Sequence, residues 1–309
     1  MIKKKNIKIF LAGHKGLVGS SIYRTLKKYN FKNILVAGRK ELDLTDQKKT
    51  YQFLKKNKPK VIIIAAAKVG GIKVNSELKG DFIYENLTIQ NNLIHGAHLN
   101  EINDLIYLGS SCIYPKNCKQ PIKEDYLLTG PLEKTNEPYA IAKIAGLKMC
   151  ESYNYQFKRN YKCLMPCNTY GPNDNYDLNT SHFYPAILKK IHEATLSGKK
   201  FIELWGSGKP KRELIYVDDI AEACIYFMHK KINETFINIG SSKEKSIKEF
   251  AQFAIKLINP KLKIKFNKAK IDGTLRKILN NQKSNSYGWR PKISLKEGTL
   301  RAYSELVKK

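Results

Sequence analysis

Over its first half, this chain alternates short apolar runs with stretches whose hydrophobic positions recur at helical spacing. Residues 7–12 read as a buried strand, and residues 17–29 follow with apolar side chains spaced to share one helix face. Residues 33–37 make a second strand. Residues 61–66 are an uninterrupted apolar run, as expected of a parallel strand covered on both faces. Residues 81–100 predict a long helix, 105–109 a buried strand, 139–157 another helix and 161–166 another strand. This βαβ rhythm predicts an α/β fold, a doubly wound parallel sheet with right-handed crossovers.

The rhythm breaks after Gly171-Pro172, where loops rich in Asn, Gly and Lys separate short helices around residues 184–195 and 246–258. The expected organisation is a Rossmann-type unit over residues 1–171 and a smaller C-terminal α/β domain over 172–309 that covers the substrate. Residues 213–229 are expected to return to the first unit as a strand and a helix.

Composition removes several classes of function. With 309 residues, 42% of them hydrophobic, the chain can bury a sizeable core. No apolar run reaches the roughly 20 residues of a membrane span. The first six residues lead straight into a strand and leave no room for a secretory signal, so the cytoplasm is the expected compartment. Cys112, Cys118, Cys150, Cys163, Cys167 and Cys224 form no CxxC pair and no metal-spaced cluster with histidine. Free thiols and no bound metal are expected. The formal charge of +29 comes from 56 Lys and Arg against 27 Asp and Glu, with the lysines dispersed through every element. That distribution suits a solvated surface that also steers a polyphosphate substrate. No nucleic-acid module accompanies it, and neither nucleic acid nor membrane is an expected partner.

Gly13-His14-Lys15-Gly16-Leu17-Val18-Gly19 follows the first strand and opens the first helix. In that context Gly13 allows the tight turn, Gly16 the approach of a pyrophosphate to the backbone, and Gly19 close packing of helix on strand. The amides of Leu17 and Val18 at the helix start then face the anion. Arg39 ends the second strand, where an NAD-preferring protein carries an acid for the ribose hydroxyl. Lys15 and Arg39 together suit a ribose 2′-phosphate, which favours NADP(H). Asp43 either lines the adenine side of this site or caps a helix.

Tyr139 and Lys143 are spaced i and i+4, one helical turn apart on one face. A neighbouring ammonium and an oxidised nicotinamide lower the pKa of a phenol, which makes Tyr139 a candidate proton donor and Lys143 a candidate ribose contact. Strand 105–109 runs into Ser110-Ser111-Cys112. In this extended segment Ser110 and Cys112 are expected to share a face beside Tyr139, with Ser111 pointing away. Ser110 then bonds a carbonyl oxygen. Cys112 is either a packed thiol or a proton-exchanging group beside the sugar ring.

These residues resemble one family closely, the GDP-L-fucose synthases, which are GDP-4-keto-6-deoxy-mannose epimerase-reductases of the extended short-chain dehydrogenase/reductases. The resemblance rests on the glycine loop, on Ala65-Ala66-Ala67-Lys68-Val69-Gly70-Gly71-Ile72, on Leu108 to Pro115 and on Thr135 to Gly146. It continues through Asn168, Tyr170-Gly171-Pro172, Asn179-Thr180-Ser181-His182, Trp205-Gly206-Ser207-Gly208, Arg212-Glu213, Val217-Asp218-Asp219, Asp272-Gly273-Thr274 and Arg276-Lys277.

The resemblance implies that Ser110, Tyr139 and Lys143 reduce the ketone while Cys112 and His182 exchange protons at C-3 and C-5, with His182 also beside the cofactor. It implies a GDP-sugar substrate held by Lys190, Trp205 and Arg212, and a homodimer formed through helices 81–100 and 139–157. Lys190 stands where an arginine is expected, Leu275 interrupts an expected Asp-Gly-Thr-Pro-Arg-Lys string, and Asn280 replaces an acid. A related 4-epimerase, or a reductase without epimerisation, is the alternative enzyme. An idle NADP-binding scaffold would have no reason to keep all five catalytic candidates.

Overall fold

The computed structural model describes residues 5–269 and 273–308; Asp272 lies outside them. The first half contains β1 (Ile9–Ala12), α1 (Leu17–Lys28), β2 (Ile34–Leu35), α2 (Gln47–Asn57), β3 (Val61–Ile64), α3 (Ile72–Glu77), α4 (Lys79–Leu99), β4 (Asp104–Leu108), α5 (Glu137–Phe157) and β5 (Asn160–Pro166). The second half contains β6 (Asn168–Tyr170), α6 (Phe183–Leu196), β7 (Phe201–Trp205), β8 (Lys211–Tyr216), α7 (Val217–His229), β9 (Phe236–Ile239), β10 (Glu244–Ser246), α8 (Ile247–Ile258), β11 (Lys263–Asn267), β12 (Arg276–Lys277), α9 (Gln282–Ser286) and α10 (Leu295–Val307).

Six strands form one parallel sheet in the order β2-β1-β3-β4-β5-β9. β1 and β3 are buried at every position, as befits strands with helices on both faces. From β1 the chain goes outward to β2, then crosses back to β3 on the other side. The strand order therefore reverses at β1, and a crevice opens at the carboxyl ends of β1 and β3, where such sheets hold ligands. β2 keeps only two residues of the expected five. It pairs on one side alone, and at Gly38 the chain already turns, its N–H taken by Glu41 at 2.7 Å.

α2 has no clear apolar periodicity in the sequence: it is lysine-rich and buries only Thr50 and Leu54. Asp46 caps it by accepting from the Lys49 N–H at 2.9 Å, which corrects the capping option for Asp43. The Asp43 carboxylate instead holds the backbone and hydroxyl of Thr45, at 3.0 and 2.8 Å.

The return expected of residues 213–229 splits. α7 docks on the first unit, with Asp218 accepting from Ser21 at 2.5 Å and Glu222 from Tyr29 at 2.7 Å. β8 stays out of the parallel sheet and centres a second one, antiparallel to β10 and parallel to β12 and β6. The strand that returns is β9, which lies beside β5 with Ile237 and Ile239 buried. A second core gathers under the second sheet around Tyr170, Tyr184 and Phe250.

A buried polar seam joins the two parts. The Glu213 carboxylate accepts from the N–H groups of Ser242 (2.6 Å) and Leu279 (2.9 Å). Asn238 accepts from the Tyr114 hydroxyl at 2.5 Å and donates to the carbonyls of Ile122 and Asn280. Every polar group in that list needs a partner once water is excluded. The seam thus fixes the segment after Cys112 against the segment after β12. Cys150, Cys163, Cys167 and Cys224 are buried free thiols, while Cys112 and Cys118 are half-buried. Among the described residues no helix is long and apolar enough to cross a membrane.

Candidate active site

The glycine loop sits at the carboxyl end of β1, in the crevice. Gly13 has φ of +88°, and a β-carbon there would lie 2.5 Å from the Ala66 nitrogen, so only glycine fits between β1 and the end of β3. A β-carbon on Gly19 would collide with the Gly13 carbonyl. Gly16 is the N-cap of α1 and offers no side-chain cap, so the first-turn amides, Leu17 and Val18 among them, face outward for an anion. The Lys15 ammonium reaches across to Gly38, 3.3 Å from where a β-carbon would stand. Arg39, next along, is largely exposed and only loosely paired, with Asp43 at 3.8 Å and Glu85 at 3.9 Å. Two cations beside a glycine cradle fit a dinucleotide that carries an extra phosphate. Hydrogen bonds from Thr45 hold the Asp43 carboxyl below its usual range.

Beyond β4, Ser110 is extended, but residues 111–113 turn as a short 3-10 helix. The expected extended segment is therefore corrected: the Ser110 hydroxyl accepts the Cys112 N–H at 3.2 Å and starts the turn. The turn buries Ser111 and Ile113 and leaves Cys112 half-exposed. Cys112 still faces Tyr139, by a tighter route. The Tyr139 phenol is raised well above its ordinary pKa by desolvation, then by the Cys112 sulfur, with a Ser110 hydrogen bond opposing. A raised phenol remains protonated at neutral pH, the state a proton donor needs.

Lys143 is almost fully buried one turn further along α5. Its ammonium donates to the Leu108 carbonyl at 2.9 Å and lies 5.8 Å from the Tyr139 ring centre and 4.8 Å from that of Tyr107. Desolvation lowers its pKa to about 8. The Tyr107 hydroxyl donates to Gln90 at 2.6 Å, and Gln90 donates to the Ala142 carbonyl at 2.6 Å. Tyr107 and Gln90 thus brace the catalytic helix from behind, a role no local pattern announced.

His182 is the N-cap residue of α6. Its side chain is reachable by solvent, yet crowding by surrounding protein desolvates the imidazole and lowers its pKa. Among the described residues it makes no side-chain hydrogen bond, so both ring nitrogens remain available. The loop before it is tied to the nucleotide side of the sheet through the Gly71 N–H, which donates to the Thr180 carbonyl at 2.8 Å.

Lys190 and Trp205 meet: the ammonium lies 5.8 Å from the indole and donates to the Glu203 carbonyl at 2.8 Å. Arg212 donates to the Thr274 carbonyl at 2.6 Å and pairs in register with Lys277 of β12. Two contacts to Cys112 escaped the sequence reading. The Asn136 amide donates to the sulfur at 3.3 Å, and the Lys277 ammonium at 3.7 Å. Both come from segments distant in sequence, so spacing carries no trace of them. A cavity of about 550 Å³ between α8 and β11, bordered by Lys248, Ile255 and Phe266, includes none of the catalytic candidates.

Residues 9–240 match the family described as NAD dependent epimerase/dehydratase. The chain is 47% identical over 300 residues to a putative GDP-L-fucose synthase 2 of Arabidopsis thaliana, covering 97% of this chain and 92% of that one. It is 46% identical over 300 residues to a GDP-L-fucose synthase of Sinorhizobium fredii, covering 97% and 95%. A solved GDP-L-fucose synthetase from Naegleria fowleri bound to NADP aligns with a TM-score of 0.92 at 26% identity, over 100% of this chain and 95% of that one.

Proposed function

The chain belongs to the NAD dependent epimerase/dehydratase family, and we propose that it converts GDP-4-keto-6-deoxy-D-mannose to GDP-L-fucose by 3,5-epimerisation and NADPH-dependent 4-reduction. The observation that carries this reading is a half-exposed thiol, Cys112, set against the Ser110, Tyr139 and Lys143 cluster. A plain reductase has no use for a second proton-exchanging group there. The near full-length likeness to GDP-L-fucose synthases supports the same reaction.

The C-4 ketone acidifies the neighbouring C–H bonds, because the electron pair left behind spreads onto its oxygen. Cys112 and His182 serve as the acid–base pair, one taking a proton from C-3 or C-5 and the other returning one to the opposite face. Desolvation lowers the pKa of the His182 imidazole and favours its neutral form, which can accept a proton from carbon. NADPH, held by Gly13 to Gly19 with Lys15 and Arg39 at the 2′-phosphate and Asp43 toward the adenine, supplies the hydride when bound. Tyr139 gives its proton to the C-4 oxygen, Ser110 hydrogen-bonds that oxygen, and Lys143 holds the ribose near His182. Lys190, Trp205 and Arg212 take the GDP, with Lys190 acting as a point charge rather than a bidentate fork.

In this reading residues 1–171, with α7 and β9, hold the cofactor, and most of 172–309 covers the nucleotide sugar. Two copies pair through α4 and α5, which leave Tyr84 and Tyr155 67% and 83% exposed in the single chain. Free thiols fit a reducing cytoplasm. The deciding experiment mixes the protein with GDP-4-keto-6-deoxy-D-mannose and NADPH, then follows NADPH absorbance and identifies the product. NADPH binding without consumption would overturn the proposal.

A further inference from the structure

Lys277 presents a half-buried ammonium to a sulfur. It lies on β12, where side chains alternate from one face to the other. Its neighbour Arg276 turns outward and forms a two-pronged pair with Glu244, the guanidinium Nε and Nη2 each 2.8 Å from a carboxylate oxygen. Lys277 points the other way. Among the described residues it forms no ion pair, and the Cys112 sulfur at 3.7 Å is its hydrogen-bond partner. The Asn136 amide approaches the same sulfur at 3.3 Å. Two donors on one sulfur match a charged sulfur better than a neutral thiol, which is a weak acceptor.

We propose that Lys277 is a positioning residue that holds the charge of Cys112, supporting the sulfur whenever it is a thiolate in the proton exchange. The role of the sulfur in catalysis rests on the epimerase reading above. In that exchange the sulfur enters as thiolate and leaves as thiol, or the reverse, with the proton passing to or from the sugar carbon. Lys277 keeps its own proton throughout. In either direction one half of the cycle leaves a negative sulfur in a partly desolvated place, and an ammonium nearby stabilises it.

The placement also explains how the second sheet takes part in the chemistry of the first. β12 is fixed to β8 beside Arg212, a candidate GDP contact, and just beyond it Leu279 is pinned by the buried Glu213. Seating of GDP on Arg212 and the position of the ammonium at Cys112 therefore depend on one short strand.

The test uses the cofactor-free, substrate-free protein, so it stands apart from the reaction itself. Iodoacetamide attacks thiolate, not thiol. Alkylation of Cys112 at neutral pH is followed by peptide mass spectrometry in wild type, Lys277→Met and Lys277→Arg, with Cys118, which the Lys277 charge also reaches, read separately. Removal of the ammonium should slow Cys112 alkylation by about tenfold, while Lys277→Arg keeps most of the rate. Retained NADPH binding by Lys277→Met shows that the fold survives. Equal alkylation in wild type and Lys277→Met would overturn the proposal, as would an equal loss in the arginine variant. A Lys277-dependent rate in a protein that fails to turn over the GDP-sugar would support the pairing and sink only the assigned reaction.

Discussion

The Lys143 ammonium lies over the Tyr107 ring, 4.8 Å from its centre, and the face of that ring stands in for part of the water the ammonium has lost. Even so, desolvation brings Lys143 down to about 8. A lysine with a lowered pKa is charged below that value and neutral above it. NADPH-dependent turnover should therefore fall as pH rises through about 8. Tyr107→Leu removes the aromatic face and should move this alkaline limb to lower pH. Tyr107→Phe keeps the face, loses only the bond to Gln90, and should leave the limb in place. A pH profile of kcat for the three proteins checks this, and identical limbs in wild type and the leucine variant would refute it.

Tyr139→Phe and Cys112→Ser should divide the two reactions. Without the phenolic proton, reduction should slow by about 10²- to 10⁴-fold. Exchange of substrate C–H for solvent deuterium should continue in that variant. Cys112→Ser should do the opposite, suppressing deuterium uptake while NADP(H) still binds. Mass spectrometry of substrate recovered from deuterated buffer separates them. Undiminished exchange in Cys112→Ser would show that another group moves the proton, and untouched turnover in Cys112→Ser, with no exchange in wild type, would point to the reductase-only alternative.

What the sequence revealed depended on how local each relationship is. The glycine loop, the apolar run at 61–66 and the Tyr139–Lys143 turn lie within a few residues, and periodicity exposes them. The Ser110–Cys112 relationship is just as local, yet its predicted geometry was wrong. A hydroxyl that accepts the amide two residues on can turn a strand end into a 3-10 helix, and alternation alone does not register that choice. The sheet assignments of β8 and β9 were hidden because an apolar segment does not name its neighbour. For β8 the decision lies in Glu213, whose buried carboxylate finds its donors at Ser242, just before β10, and at Leu279, just after β12. The Lys277–Cys112 contact spans 165 positions and was wholly out of reach.

Cofactor choice should follow Lys15 and Arg39. Among the described residues Arg39 is held only by ion pairs at 3.8 and 3.9 Å, which an incoming phosphate can displace. Arg39→Ala should weaken NADPH binding by about tenfold or more, the worth of one charge-assisted phosphate contact, and leave NADH binding nearly unchanged. Fluorescence titration with both nucleotides reads the ratio. An equal loss for NADPH and NADH would show that Arg39 does not recognise the 2′-phosphate.

Glu213 should matter more to stability than its distance from the reacting groups suggests. Its carboxyl is fully buried, and burial raises its pKa while the N–H groups of Leu279 and Ser242 pull it back down. Glu213→Gln keeps the shape but turns an NH2 toward one of those donors, which leaves a buried N–H without an acceptor. The cost should be about 1 to 3 kcal/mol of unfolding free energy, read from the urea midpoint. Glu213→Ala strands both donors and should cost more. Because Leu279 lies two residues beyond Lys277, either change should also loosen β12 and raise the KM for the GDP-sugar. NADPH affinity, set by the glycine loop in the other sheet, should hold. A urea midpoint equal to wild type in Glu213→Ala would mean that water or a rearranged side chain satisfies these donors, and that β12 is anchored by some other contact.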